Sequence, residues 1–176
     1  MKGVKSAIAL LLCLCQMAIA HAQPSPHAAE KSYFDFLLGK WSMQDRRVDG
    51  KWQPGTDTLR FEKQLDGNAI VSHWRFDRGT PAKPDVTEAL YISAYDTRGK
   101  VWTFYYVSPQ SAQYYEGRFE SGNWFFHHAF TVDNRSFLQR QSWRMEDGLL
   151  VRSLENSYDN GQSWAEIYAA RFKRAP

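Results

Sequence analysis

Beyond residue 22 the chain contains no cysteine; its two, Cys13 and Cys15, both lie in the first segment. That absence excludes disulfides, a thiolate nucleophile and a zinc–thiolate centre from everything that follows. Long apolar runs are also missing, apart from Ala7–Ala20. This run follows Lys2 and Lys5 and leads into Ala20-His21-Ala22. A basic start, a short apolar stretch and an A-x-A site predict a secretory signal peptide over 1–22, cut after Ala22. The run is short for a bilayer, so no membrane span is expected. Leu12 and Leu14 stand where a lipoprotein signal needs small residues before its cysteine, so no lipid anchor is expected. Net charge is small as well. The formal value of +3 falls to +1 once Lys2 and Lys5 leave with the signal, and no basic block stands out. Nucleic acid and anionic membrane surfaces are therefore not expected partners.

Catalytic signatures are equally scarce. The chain has no H-E-x-x-H, no G-x-S-x-G and no phosphate-binding glycine loop. His127 and His128 are adjacent, so on a strand they point to opposite faces and cannot hold one metal ion. No metal, cofactor or catalytic constellation is expected. No long 3.6-residue periodicity follows Leu38, which excludes a helical domain.

Turn signals and aromatic side chains are what the chain does have. Aromatics make up 15% of it, as suits half-buried strands and ligand cavities. Asp49-Gly50, Asp66-Gly67 and Asp147-Gly148 are hairpin dipeptides, because both residues tolerate positive φ. Asp96–Gly99, Glu120–Gly122, Asp133-Asn134 and Asp159–Gly161 punctuate the chain in the same way. The intervening runs predict strands at 39–48, 57–65, 68–77, 86–95, 100–108, 112–119, 123–132, 135–146, 149–157 and 163–173. Residues 23–32 read as a flexible leader and Tyr33–Leu38 as a short helical turn packed on one end. Arg78–Asp85, with Gly79, Pro81 and Pro84, reads as a mobile loop. About ten sequential antiparallel strands hide their edges by closing, so the expected fold is an all-β, up-and-down antiparallel barrel over 33–174. A sandwich is the alternative.

Two short motifs carry resemblances. Phe34-Asp35-Phe36-Leu37-Leu38-Gly39-Lys40-Trp41 resembles the opening of lipocalin-like (calycin) proteins. Its longer form F-x-F-L-x-G-x-W, with Leu65–Asn68 and the hairpin at Ser157–Trp164, resembles bacterial DUF1579-type domains over about residues 33–174. The resemblance implies a lipocalin-like barrel and leaves the function open. Nitrobindin, a haem barrel, is distantly similar. Its G-x-W-x-G-x-G is here Gly39–Asp45 without the two later glycines, and no histidine occurs in Trp164–Lys173 where that family places its iron ligand. Ser157–Trp164 also fits the Asp-box pattern S-x-D-x-G-x-[ST]-W of glycan-active propellers. One copy in so short a chain reads as a well-made turn.

Alternation then predicts an interior. It groups Trp164, Glu166, Tyr168, Ala170 and Phe172; Phe137, Gln139, Gln141, Trp143 and Met145; and Leu149, Val151, Ser153 and Glu155 against Arg152 and Asn156. It also groups Trp124, Phe126, His128 and Phe130, with Trp41 and Met43 on the first strand. His73 and Arg75 oppose Trp74 and Phe76, and either face could be inward. Tyr91, Tyr105 and Tyr114 are possible hydroxyl donors. The candidate ligand-binding residues are Trp41, His128, Gln139, Gln141, Trp143, Glu155, Glu166 and Tyr168. Two uses fit such interleaved polar groups: a structural hydrogen-bond network, or a cavity that orients a ligand. The leading expectation is a secreted, periplasmic barrel that binds a small, partly apolar ligand. The alternatives are a barrel-interior isomerase or hydrolase with Glu166 or His128 as base, and a haem protein using His128 or His73.

Overall fold

A computed structural model describes residues 28–48, 50–77, 83 and 85–176. The segment read as a signal peptide, the expected leader up to His27, and most of Arg78–Asp85 lie outside the described residues. Among the described residues eleven strands follow in order: β1 (Gly39–Val48), β2 (Lys51–Pro54), β3 (Thr58–Gln64), β4 (Ala69–Asp77), β5 (Val86–Asp96), β6 (Val101–Ser108), β7 (Ser111–Glu120), β8 (Asn123–Val132), β9 (Arg135–Glu146), β10 (Leu149–Ser157) and β11 (Ala165–Arg174). Sequential neighbours pair antiparallel, and β11 pairs back onto β1, which closes the sheet into a barrel. The ring runs β1-β3-β4 and on through β11.

β2 is an addition to the expected strands. It pairs with Asp45–Val48 of β1, while β3 pairs with Gly39–Ser42. The two share one edge of β1 and are separated by Gly55-Thr56-Asp57. Met43 N donates to Asp57 O at 2.8 Å across that break. The last strand begins at Ala165, so Ser163 and Trp164 belong to the turn before it.

Inward positions are large and apolar. Trp41, Phe61, Trp74, Trp102, Phe104, Phe126, Trp143, Leu150 and Phe172 are all buried in one cluster. A short helical turn, Asp35–Leu37, seals one end. Phe34 packs on Trp102 and Phe126 with ring centroids 5.1 and 5.6 Å away. Leu37 O accepts from Trp41 Nε1 at 2.6 Å. The closing seam is tied from outside as well: Arg171 Nε donates to Asp45 Oδ1 at 2.7 Å. Arg174 Nη1 donates to Leu38 O at 2.8 Å, and Ala175 N to Lys40 O at 2.9 Å.

The Asp-box octapeptide forms the β10–β11 connection and is complete within itself. Asp159 Oδ1 accepts from Ser157 Oγ at 2.7 Å and from Ser163 N at 2.9 Å, and Oδ2 accepts from Ser163 Oγ at 2.5 Å. Gly161 takes φ +89°, the left-handed region that favours glycine, and its N–H donates to Ser157 Oγ at 2.7 Å. Trp164 then packs on the outer face, over the Arg140 guanidinium at 4.3 Å. The hydrogen bonds from Ser163 and Ser157 hold the Asp159 carboxyl down at about 2. A depressed native pKa contributes stability above the unfolded value near 4, and that stability is lost as pH falls through 2. Asp159→Asn is therefore expected to lower Tm at pH 7, with the gap to wild type closing as pH is taken from 4 to 2. Thermal melts across that range check this; a gap that stays constant removes the carboxylate from the account.

Candidate functional site

A cavity of about 270 Å³ remains inside the barrel. It is lined by Phe76, Tyr91, Tyr106, Gln113, Tyr115, Gln139, Gln141, Arg152 and Leu154. Phe76, Tyr106 and Gln113 sit near the strand ends joined by the β4–β5 and β6–β7 connections. These connections are at the end opposite the Phe34 seal.

Arg152 is the central group. It projects inward from β10 and is only 8% exposed. Its Nη2 and Nε donate to Gln141 Oε1 at 2.9 and 3.3 Å. Four rings surround the guanidinium: Trp74 at 4.6 Å, Tyr91 at 5.5 Å, Trp143 at 5.6 Å and Tyr168 at 5.8 Å. Such contacts favour a cation. Around this centre runs a second set of polar groups. Tyr115 donates to Gln113 Oε1 at 2.8 Å, Gln139 Nε2 donates to Asn156 Oδ1 at 3.1 Å, and Asn156 Nδ2 donates to Tyr158 at 3.2 Å. Gln141 Nε2 is buried without a hydrogen-bond partner. Burial pushes the Tyr91 phenol far above its ordinary value despite the lowering effect of Arg152, and raises Tyr115 to about 12. Both phenols are neutral donors at physiological pH.

The sequence-predicted residues separate into four groups. Gln139 and Gln141 line the cavity, and Trp143 and Tyr168 flank the Arg152 guanidinium. His128 is on the inner face near the rim, its ring 5.2 Å from Tyr115 and 4.4 Å from Phe130, with Nδ1 2.6 Å from Tyr114 O. Trp41 lies at the sealed end, bonded to Leu37, away from the cavity.

Glu155 and Glu166 correct the expectation: both point outward. The Asp147-Gly148 hairpin sets Glu155 opposite Arg140 and Arg152 opposite Trp143. The inward set on β10 is thus Leu150, Arg152, Leu154 and Asn156, the reverse of the expected one. Arg140 Nε donates to Glu155 Oε2 at 2.8 Å, and Arg140 also reaches Glu120 at 3.2 Å. Glu166 is turned out by a shift in register against β10 that leaves Ile167 unpaired. One extra residue reverses the facing of everything beyond it, and Glu166 pairs instead with Arg47. Two carboxylates spent in outer ion pairs are not a barrel-interior acid–base pair.

His73 and Arg75 also face out, over inward Trp74 and Phe76. They border a larger groove of about 750 Å³ across the outer face of β1, β3, β4 and β5, with Lys40, Arg60 and Glu88. Its polar groups are exposed, whereas those of the interior cavity are desolvated, so the interior is the better candidate despite its size. Tyr105 and Tyr114 pack on each other outside with ring centroids 5.1 Å apart, and of the three candidate tyrosines only Tyr91 reaches the cavity. Among the described residues no group of three or more His, Cys, Asp or Glu is placed to hold a metal ion. No family model matches the chain, and no curated protein matches it.

Proposed function

We propose that this chain is a secreted, periplasmic binding barrel of the lipocalin-like, DUF1579-type kind that takes a small, partly apolar ligand into its interior. The observation that carries the reading is the cavity at the unsealed end. Its walls are aromatic, and its few polar groups converge on one region, as small-molecule sites are commonly built. About 270 Å³ falls just below the usual range of about 300–1,000 Å³. The ligand is therefore compact. The haem alternative has less support, because His73 borders the outer groove and His128 is not among the residues that line the cavity.

The test is direct. The full chain is expressed with its own leader, purified without organic solvent and weighed in native and denatured form. A mass short by residues 1–22 supports export with cleavage after Ala22. A small molecule released on denaturation, or quenching of tryptophan fluorescence by added small amphiphiles, supports the binding reading. Glu155→Gln and Glu166→Gln are expected to leave that binding unchanged. A protein that carries nothing and responds to no probe up to millimolar concentration overturns it.

A further inference from the structure

Arg152 and Arg46 pose an electrostatic problem that the described residues do not solve. Arg46 pairs with Ala170 across the seam, and Ala170 pairs with Arg152 on its other side. Directly opposed residues share a face, so both arginines belong to the inner surface with only a methyl group between them. Arg46 Nε is buried without a hydrogen-bond partner. Among the described residues neither guanidinium has a carboxylate in ion-pair range. The buried Asp57 accepts from Trp74 Nε1 at 3.2 Å and makes no ion pair with either arginine. Arginine does not deprotonate in proteins, so its charge stays. A desolvated charge without a counter-charge is costly, and aromatic faces offset part of that cost only. The neutral phenols of Tyr91 and Tyr115 and the amides of Gln113, Gln139 and Gln141 add no negative charge.

We infer that the interior site is built for an organic anion, with Arg152 binding the carboxylate of a compact acid whose apolar body lies against Phe76, Tyr91, Tyr106 and Leu154. This rests on the binding reading and narrows it. A guanidinium presents a planar fork that matches a carboxylate. Gln141 Oε1 holds one side of that fork, and Arg46 adds a second positive charge on the same inner row. The ligand supplies what the fold leaves out, and its carboxylate replaces the water lost by Arg152.

The experiment compares matched probes, octanoate with octan-1-ol and phenylacetate with 2-phenylethanol, by calorimetry and tryptophan quenching. A charge-assisted pair predicts that each acid binds about 10–100-fold more tightly than its alcohol. In Arg152→Met and Arg152→Gln the acid is expected to lose that advantage while the alcohol keeps its affinity. Replacing an uncompensated buried charge by a side chain of similar size is expected to leave Tm of the unliganded protein unchanged or shift it upward. Gln141→Leu, which removes the group that orients the fork, is expected to weaken the acid selectively. The wild-type comparison needs no variant to fold. Equal binding of acid and alcohol overturns the anion assignment and leaves the binding barrel standing. Binding of neither overturns both. An acid preference that survives folded Arg152 variants overturns the role given to Arg152.

Discussion

Gly117→Ala is expected to be the most damaging small substitution in the barrel. An added Cβ would lie 2.1 Å from the carbonyl oxygen of Trp102 and 3.2 Å from the Trp124 ring. The first contact is with backbone, so no side-chain rotation relieves it, and β6 and β7 must separate. Overpacking of a close-packed interior typically costs about 1–3 kcal/mol and sometimes more; against backbone, about 3 kcal/mol or more is expected. For a domain of this size that is a fall in Tm of about 6–12 °C. Gly122→Ala is the control. Its Cβ meets nothing within 4 Å, and its φ of +84° adds only left-handed strain, about 1–2 kcal/mol. Thermal melts of the two variants side by side decide the matter. If Gly117→Ala is no worse than Gly122→Ala, the β6–β7 contact is not as tight as described.

Phe34→Ala is expected to cost about 3–5 kcal/mol, the usual range for removing a buried aromatic. Phe34 is 1% exposed and lies against Trp102, Phe126 and Tyr33. Its removal opens a void over the bottom of the barrel, where the chain has not yet entered the sheet. Set against a total stability of about 5–15 kcal/mol, this is a large fraction. The cavity lies at the other end, so ligand affinity measured below the transition is expected to stay within about threefold, less than 1 kcal/mol. A variant that melts like wild type would make Tyr33–Leu38 a loosely attached leader. A folded variant that loses ligand affinity would join the two ends of the barrel functionally.

Much of the barrel was legible because turn chemistry is local. Asp133-Asn134 and Asp147-Gly148 take positive φ, with Asp133, Asn134, Asp147 and Gly148 at +49°, +60°, +50° and +78°. Each ends one strand and begins the next. Alternation identified the inward faces of β8 and β9, with His128, Gln139, Gln141 and Trp143 on one surface. It failed on β10, where Leu149, Leu150, Val151 and Leu154 favour neither face and an arginine reads as solvent-facing. A signal was nevertheless available. A two-residue turn at Asp147-Gly148 sets Glu146 against Leu149, and counting inward from that pair brings Arg152 against Trp143. Hairpin register, rather than composition, finds the buried arginine. The outward turn of Glu166 had no such signal. It depends on the unpaired Ile167 after an Asp-box connection, and nothing local marks where that residue is inserted. β2 was missed because no strand was expected between 48 and 57, yet Lys51–Pro54 extends the same edge of β1 that β3 uses.

The seam between β1 and β11 has a consequence for synthesis. Residues that must meet there, such as Asp45 and Arg171, are 126 positions apart. On the ribosome the first strand emerges early and waits for the last. Until β11 is released, one edge of β1 and one edge of β10 carry unpaired backbone groups, the kind of template on which other chains can pair. Such long-range closure is intrinsically slow. The nascent protein is thus an open, adhesive sheet for most of its time in translation, and it becomes a closed vessel only in its final ten residues of strand. Without β11 every residue that lines the cavity would be present, and nothing would join β10 to β1 to close the wall around them.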